Sequence, residues 1–168
     1  EKVSILDGAF TEWKRLGFTL EKGESVYDTA RFSPKIDQNI FVDKEHTHEQ
    51  INRFNCVLLN ALSRDLHSGA NPRYGRPGRI PGSKNIPASQ FLEQGTQKLL
   101  SPEKALELIK SENIRQDTRI LNYFGAGIAA TLNAFVLRQL GIENLEIYDK
   151  SMSEWAMDDT LPIETDIN

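Results

Sequence analysis

One stretch of this 168-residue chain has the layout of a chemical site: Arg119-Ile-Leu-Asn-Tyr-Phe124-Gly125-Ala126-Gly127-Ile128-Ala129-Ala130. An apolar run of strand composition ends in a glycine-containing loop, and that loop opens a helical pattern. In α/β proteins such a junction turns backbone N–H groups and the positive end of a helix toward an anion, or holds a nucleophile at its mouth. The residue at this mouth is Phe124, whose ring can neither attack nor ionise. The chain spells a cradle for charge with no reactive group at its centre. Phe124 reads as a plug filling that position, ahead of an aromatic wall for a ligand. Gly125 and Gly127 stay open to two readings, an anion-binding loop whose amides do not depend on any side chain, or a turn that needs positive φ. The loop carries no Lys or Arg, which weakens it as a phosphate or sulfate site.

Other chemistry-bearing residues are few. Cys56 is the only cysteine, which excludes a disulfide within the chain and any zinc site built on several cysteines. It opens an apolar strand at the end away from the loop, where a thiol is inert. His46 and His48 have the spacing of two ligands on one strand face, but no third ligand lies nearby; solvent-facing histidines of a polar linker are expected, and no metal or cofactor. Arg73, Arg76 and Arg79 form the densest basic stretch. Arg79 is a candidate anion contact beside Gly125, Ala126 and Gly127, against the plainer account of a solvated loop. His67 is expected to be packed or exposed, and not catalytic.

Elements that would position the loop follow from composition. Cys56-Val-Leu-Leu-Asn60-Ala, Ser83-Lys-Asn-Ile86, Arg119–Tyr123 and Leu145–Tyr148 read as short strands, and the apolar run from Cys56 suits a strand buried on both faces. Gly69–Gly78 is a loop dense in Gly and Pro. Ser101 caps a helix with Pro102 at its first position, running to about Ser111. Ala129 to Leu140 is a second helix, stopped by Gly141. Strands alternating with helices imply an α/β fold, a parallel sheet covered on both faces with its crevice at the carboxyl ends of the strands.

The chain also repeats itself. Val3-Ser-Ile-Leu-Asp7-Gly-Ala-Phe-Thr-Glu12-Trp13 is echoed by Leu145-Glu-Ile-Tyr-Asp149-Lys-Ser-Met-Ser-Glu154-Trp155, with Ile5, Asp7, Glu12 and Trp13 each recurring 142 positions on. That period is the size of a domain. Residues 1–23 are therefore expected to be the closing strand (3–6) and turn of a truncated preceding domain, 24–50 an interdomain linker with a short helix near 45–52, and 51–166 the main domain. An orphan strand is not stable alone, so 1–23 should pair with a preceding domain, with a second chain or with something in this chain, or else stay mobile. The formal net charge of −4 argues against nucleic acid as a partner. Nothing approaches the ~20 apolar residues of a membrane-spanning helix.

Five segments, in order, resemble the rhodanese family of sulfurtransferases, and the second domain of a tandem pair in particular. Leu58-Leu59-Asn60-Ala61-Leu62 is similar to the family's Leu-Ile-Asp-x-Arg strand. Arg79-Ile-Pro-Gly-Ser-Lys-Asn-Ile-Pro87 resembles Gly-His-Ile-Pro-Gly-Ala-x-Asn-Ile-Pro, and Ser101-Pro102-Glu103 the helix start before the active-site strand. Tyr123-Phe124-Gly125-Ala126-Gly127-Ile128-Ala129 stands where active members have Tyr-Cys-Gly-Ser-Gly-Val-Thr, and Ile147–Trp155 resembles the closing Tyr-Asp-Gly-Ser-Trp-Ser-Glu-Trp. The resemblance implies a five-stranded parallel sheet flanked by helices. It also implies a chemistry in which a loop thiolate takes sulfane sulfur from thiosulfate or 3-mercaptopyruvate as a persulfide and hands it to a thiol or cyanide. Here the thiolate position is Phe124, the strand's Asp and Arg are Asn60 and Leu62, and the loop's last Thr is Ala129. The expectation is a vestigial loop, Phe124 to Ala129, in a domain that transfers no sulfur; the alternative is an active sulfurtransferase whose Cys lies in another part of the polypeptide. A third possibility, a phosphatase of related fold, fails because its longer Cys loop ends in Arg.

Overall fold

The computed structural model describes residues 4–35 and 39–166. Five strands run parallel in the order β1-β5-β4-β2-β3: β1 (Phe41–Val42), β2 (Cys56–Asn60), β3 (Lys84–Asn85), β4 (Arg119–Tyr123) and β5 (Leu145–Tyr148). Asn60 lies opposite Tyr123, and Tyr123 opposite Tyr148, so the central strands finish level and their carboxyl ends form one edge. Side chains alternate between faces with the period of two that a strand imposes. Leu58, Leu121, Tyr123 and Tyr148 point to one face and Leu59 and Ile120 to the other.

The first face is covered by α3 (Arg64–Ser68) and α6 (Ser151–Trp155) through Leu66, Met152 and Trp155, with α2 (Lys44–Glu49) against α6. The second is covered by α4 (Pro102–Ser111) and α5 (Ile128–Gln139) through Ala105, Ile109, Val136 and Leu137. Ser101 Oγ accepts from the Lys104 amide at 3.5 Å, with Pro102 in the first turn. Gly141 takes φ +83° just beyond α5, the left-handed stop that a helix end favours.

The sheet begins earlier than the expected boundary at residue 51. Phe41 pairs with Ile147 and Val42 with Tyr148, so part of the segment read as linker is the edge strand. Two residues are too short to show any period, and only the free edge of β5 makes them a strand. The same brevity hid α3 and the 3-10 turn Ala88–Phe91.

At the other end of the chain, Ser4–Leu6 forms no strand, contrary to expectation; Val3 lies outside the described residues. A turn at Asp7-Gly8 leads into α1 (Ala9–Arg15). The echo is nevertheless structural. Ala9 and Ser151, 142 positions apart, both open a helix with positive φ, +48° and +53°. Trp13 donates its indole N–H to the Thr19 carbonyl at 3.0 Å, and Trp155 to the Pro162 carbonyl at 2.8 Å. Burial separates the two copies: Trp155 is 0% exposed and Trp13 38%. Ile5, Phe10 and Leu16 are exposed as well. The arm is tethered by Asp7, whose carboxylate accepts from the Leu99 amide at 2.9 Å, and by Glu12, paired with Lys98 at 3.0 Å.

After α6 the chain crosses the first face as a strap. Glu164 exchanges both backbone hydrogen bonds with Arg79, each 2.9 Å. Arg79 donates its guanidinium to Glu164 (2.5 Å), Asp166 (2.8 Å) and the His67 carbonyl (3.2 Å). Burial, reinforced by the Arg79 charge, holds His67 down at about 4 against an ordinary 6.5. The folded chain thus binds fewer protons than the unfolded chain between those values. His67 contributes full stability above pH 6.5 and loses it as pH falls toward 4. Thermal unfolding should show a midpoint that drops between pH 6.5 and 5, and His67→Gln should flatten that slope. Equal slopes in the two proteins would refute the assignment.

Candidate functional site

The loop from Phe124 to Ala129 sits at the carboxyl end of β4, where the sheet's crevice lies. The first turn of α6 holds it in place. Ser151 Oγ accepts from the Phe124 amide (3.0 Å), the Met152 amide donates to the Phe124 carbonyl (3.0 Å), and the Ser153 amide donates to the Gly125 carbonyl (2.8 Å). Phe124 itself is half-buried and packs against the core on both sides of the loop. Gly125 and Gly127 are buried, while Ala126 between them is exposed, as is Ile128.

The two glycines answer to different demands. Gly127 takes φ +77° and lies against Asp149, so that a β-carbon there would come within 2.6 Å of the Asp149 carbonyl and overlap its carboxylate. Conformation and close approach both exclude a side chain. Gly125 is absent from the left-handed region; it is glycine because the Tyr74 ring occupies the space of its β-carbon. Neither Tyr74 nor this role of Asp149 was legible in the sequence, where Tyr74 was one residue of a Gly/Pro-rich loop and Asp149 a turn residue. Among the described residues, the amides of Gly125, Ala126, Gly127 and Ala129 have no hydrogen-bond partner. A carboxylate of the chain itself, Asp149, therefore stands at the end of α5 where an external anion would be attracted.

Arg79 is not available to that loop in the way its sequence position suggested. Its guanidinium is only 9% exposed and is shared between two carboxylates, which leaves little charge for a ligand. Behind the loop, Tyr123 is fully buried and its hydroxyl is saturated. It accepts from Asn60 Nδ2 (3.0 Å) and the Ile80 amide (3.2 Å) and donates to Ser83 Oγ (2.7 Å). Burial pushes its phenol up to about 12, so it is not a proton-transfer group at neutral pH.

Asn60 completes this network by accepting from the Leu62 amide at 2.7 Å. Asn60 and Leu62 are 0% and 1% exposed, so the neutral amide and the apolar neighbour fit each other. Asn60→Asp would remove the donor to Tyr123 and bury a carboxyl beside Leu62. It should cost about 2–3 kcal/mol in urea unfolding; an unchanged midpoint would show that the amide is not required.

Cys56 lies at the amino end of β2, opposite Arg119 and away from the crevice. Burial pushes its thiol up, with Arg119 opposing weakly. His46 and His48 are not on a strand but on α2, two residues apart and so on different sides of the helix. His46 Nε2 lies 3.1 Å from Glu146 and 3.0 Å from Arg119, and the His48 ring lies 6.1 Å from that of Trp155. Among the described residues no group of three or more His, Cys, Asp or Glu could hold a metal ion, and no helix is long and apolar enough to cross a membrane. An apolar cleft of about 380 Å³ lies elsewhere, between the arm (Ile5, Leu6) and α5 (Leu132, Phe135).

With this geometry in view, the comparisons are consistent. The model of the rhodanese-like domain matches residues 48–158, and the chain belongs to that family. It is 33% identical over 162 residues to mouse 3-mercaptopyruvate sulfurtransferase, covering 92% of this chain and 53% of the relative. It is 29% identical over 173 residues to 3-mercaptopyruvate sulfurtransferase of Escherichia coli (strain K12), covering 98% and 59%. The chain thus spans little more than half the length of these relatives. An anaerobic ergothioneine biosynthesis enzyme from Chlorobium limicola shares the fold, with TM-score 0.89 at 20% identity over 100% of this chain and 42% of that one.

Proposed function

We propose that this chain is a non-catalytic rhodanese-like domain that serves a structural, binding or regulatory role in a tandem sulfurtransferase-type protein. The observation that carries the reading is Phe124. The family resemblance puts the persulfide-forming Cys at that position, and a phenyl ring has no lone pair with which to take a sulfane sulfur. Asn60, Leu62 and Ala129 differ in the same direction, each replacing a charged or hydroxyl-bearing residue of the family pattern. The only thiol, Cys56, is buried at the far end of the sheet.

The tandem part of the reading rests on the echo of residues 3–13 in 145–155 and on the uncovered apolar side chains of the first copy. Residues 1–23 would pair with a preceding rhodanese-like domain or with a second chain. The second reading, an active thiosulfate or 3-mercaptopyruvate sulfurtransferase whose Cys lies elsewhere in the polypeptide, is favoured by relatives about twice as long. Cyanide-dependent thiocyanate formation from either donor tests both. This chain alone should form no product above the uncatalysed background, and product from it would overturn the first reading. Product from a longer polypeptide alone would establish the second.

A further inference from the structure

We propose that Tyr74 is a stopper on this crevice: its ring, seated on Gly125, shuts the Gly125 amide away from solvent on the side of residues 69–78. The inference rests on reading the loop as the family's site, and it holds whatever residue stands at position 124.

Burial within the loop is the first ground. Gly125 is buried while the next residue, Ala126, is exposed, although both belong to one surface turn at a strand end. What lies over Gly125 is the far end of the Tyr74 ring, in the space a β-carbon would need. Gly125 does not adopt positive φ, so the backbone could take any small residue; the approach of the ring is what selects glycine.

The second ground is how firmly the ring is placed. Gly69–Gly78, with three glycines and two prolines, would otherwise be free to move. Arg76 ties it down by donating to the carbonyls of Trp155 (3.2 Å), Ala156 (3.2 Å), Asp158 (2.5 Å) and Leu161 (3.0 Å). Gly78 packs on the Glu164 carbonyl with φ +114°, and Arg79 holds Glu164 and Asp166. Arg73 lies over the other part of the ring, 5.6 Å from its centroid. The C-terminal strap therefore fixes the loop, and the loop fixes the ring on Gly125. The third ground is the Gly125 amide itself, which makes no hydrogen bond among the described residues and would exchange freely with water if exposed.

Tyr74→Ala should uncover it and leave β4 in place, because Tyr74 is half-exposed at the margin of the first-face core. Amide hydrogen exchange followed by NMR should be at least about tenfold faster at Gly125 in Tyr74→Ala. Tyr74→Phe should match the wild-type chain, and the amides of Ile120 to Tyr123 should be unchanged in all three proteins. Equal rates at Gly125 in wild type and Tyr74→Ala overturn the proposal. So does an acceleration spread evenly over β4, which would make Tyr74 a core residue instead. A chemical readout is independent of exchange. In Phe124→Cys, alkylation of the new thiol by iodoacetamide should be about tenfold slower than in Phe124→Cys/Tyr74→Ala, with buried Cys56 as the internal reference; equal rates overturn the stopper. Thiocyanate formation by the wild-type chain would overturn the idle-site reading instead, without altering either rate.

Discussion

A Phe124→Cys variant will gain a thiol at the mouth of the loop and still transfer sulfur from thiosulfate to cyanide at least ~100-fold more slowly than an active relative. A sulfur nucleophile must be a thiolate, and a thiolate near neutral pH needs positive surroundings. This loop has none. It contains no Lys or Arg, and Asp149 places a carboxylate against Gly127 at the end of α5. The charge of Arg79 is taken up by Glu164 and Asp166. Asn60 and Leu62 are neutral where the family pattern carries a charged pair, and Ala129 offers no hydroxyl. The introduced thiol should therefore titrate near or above the ordinary cysteine value of about 8.5. The pH dependence of alkylation reads that value directly, and the thiocyanate assay reads turnover. Turnover within about tenfold of an active member would mean that one side chain was all the site had lost.

The two tryptophans of the echo should part company on mutation. Trp155→Ala is expected to cost about 3–5 kcal/mol, the range for emptying a buried aromatic site. That corresponds to a fall of roughly 10 °C in the unfolding midpoint. Trp155 is wholly buried, its ring meets Tyr148 edge-on at 6.1 Å, and its N–H satisfies the Pro162 carbonyl. Trp13→Ala removes the same side chain from the same local structure, yet should cost less than about 1 kcal/mol in this chain, because the ring is already partly in water. If residues 1–23 complete another sheet in a longer polypeptide, the cost of Trp13→Ala should rise there toward that of Trp155→Ala. Equal losses at both positions in this chain alone would show that the arm is part of the core.

How far the site could be read in advance differs from residue to residue. The loop Phe124–Ala129 was legible because strand, glycine and helix patterns succeed one another within twelve residues, and local order is enough to put a strand end beside a helix start. The choice between two roles for Gly125 and Gly127 was not. It turned on Tyr74, fifty residues upstream, and on Asp149, twenty-two downstream, whose positions depend on chain crossings with no local signature. The partners of Arg79 were hidden for a similar reason. A basic residue before an Ile-Pro-Gly turn looks free, and only the returning strap shows that Glu164 and Asp166 hold it. His46 and His48 have a spacing that would suit a strand, but they lie on the short helix expected near 45–52, which Asp43 caps by accepting from the His46 amide at 2.8 Å.

By itself the amino-acid sequence determined the α/β class, strands β2 to β5, α4 and α5, and the absence of a nucleophile at the loop. Each of these is settled by residues close together in the chain, through side-chain period, capping and covalent identity. Tertiary structure alone decided that Phe41–Val42 is a strand, that Ser4–Leu6 is not, and that Tyr74 lies on Gly125 and Asp149 on Gly127. Whether a short segment pairs, and which side chain lands on a glycine, depends on what the rest of the chain brings to that point in space, and no local pattern records it.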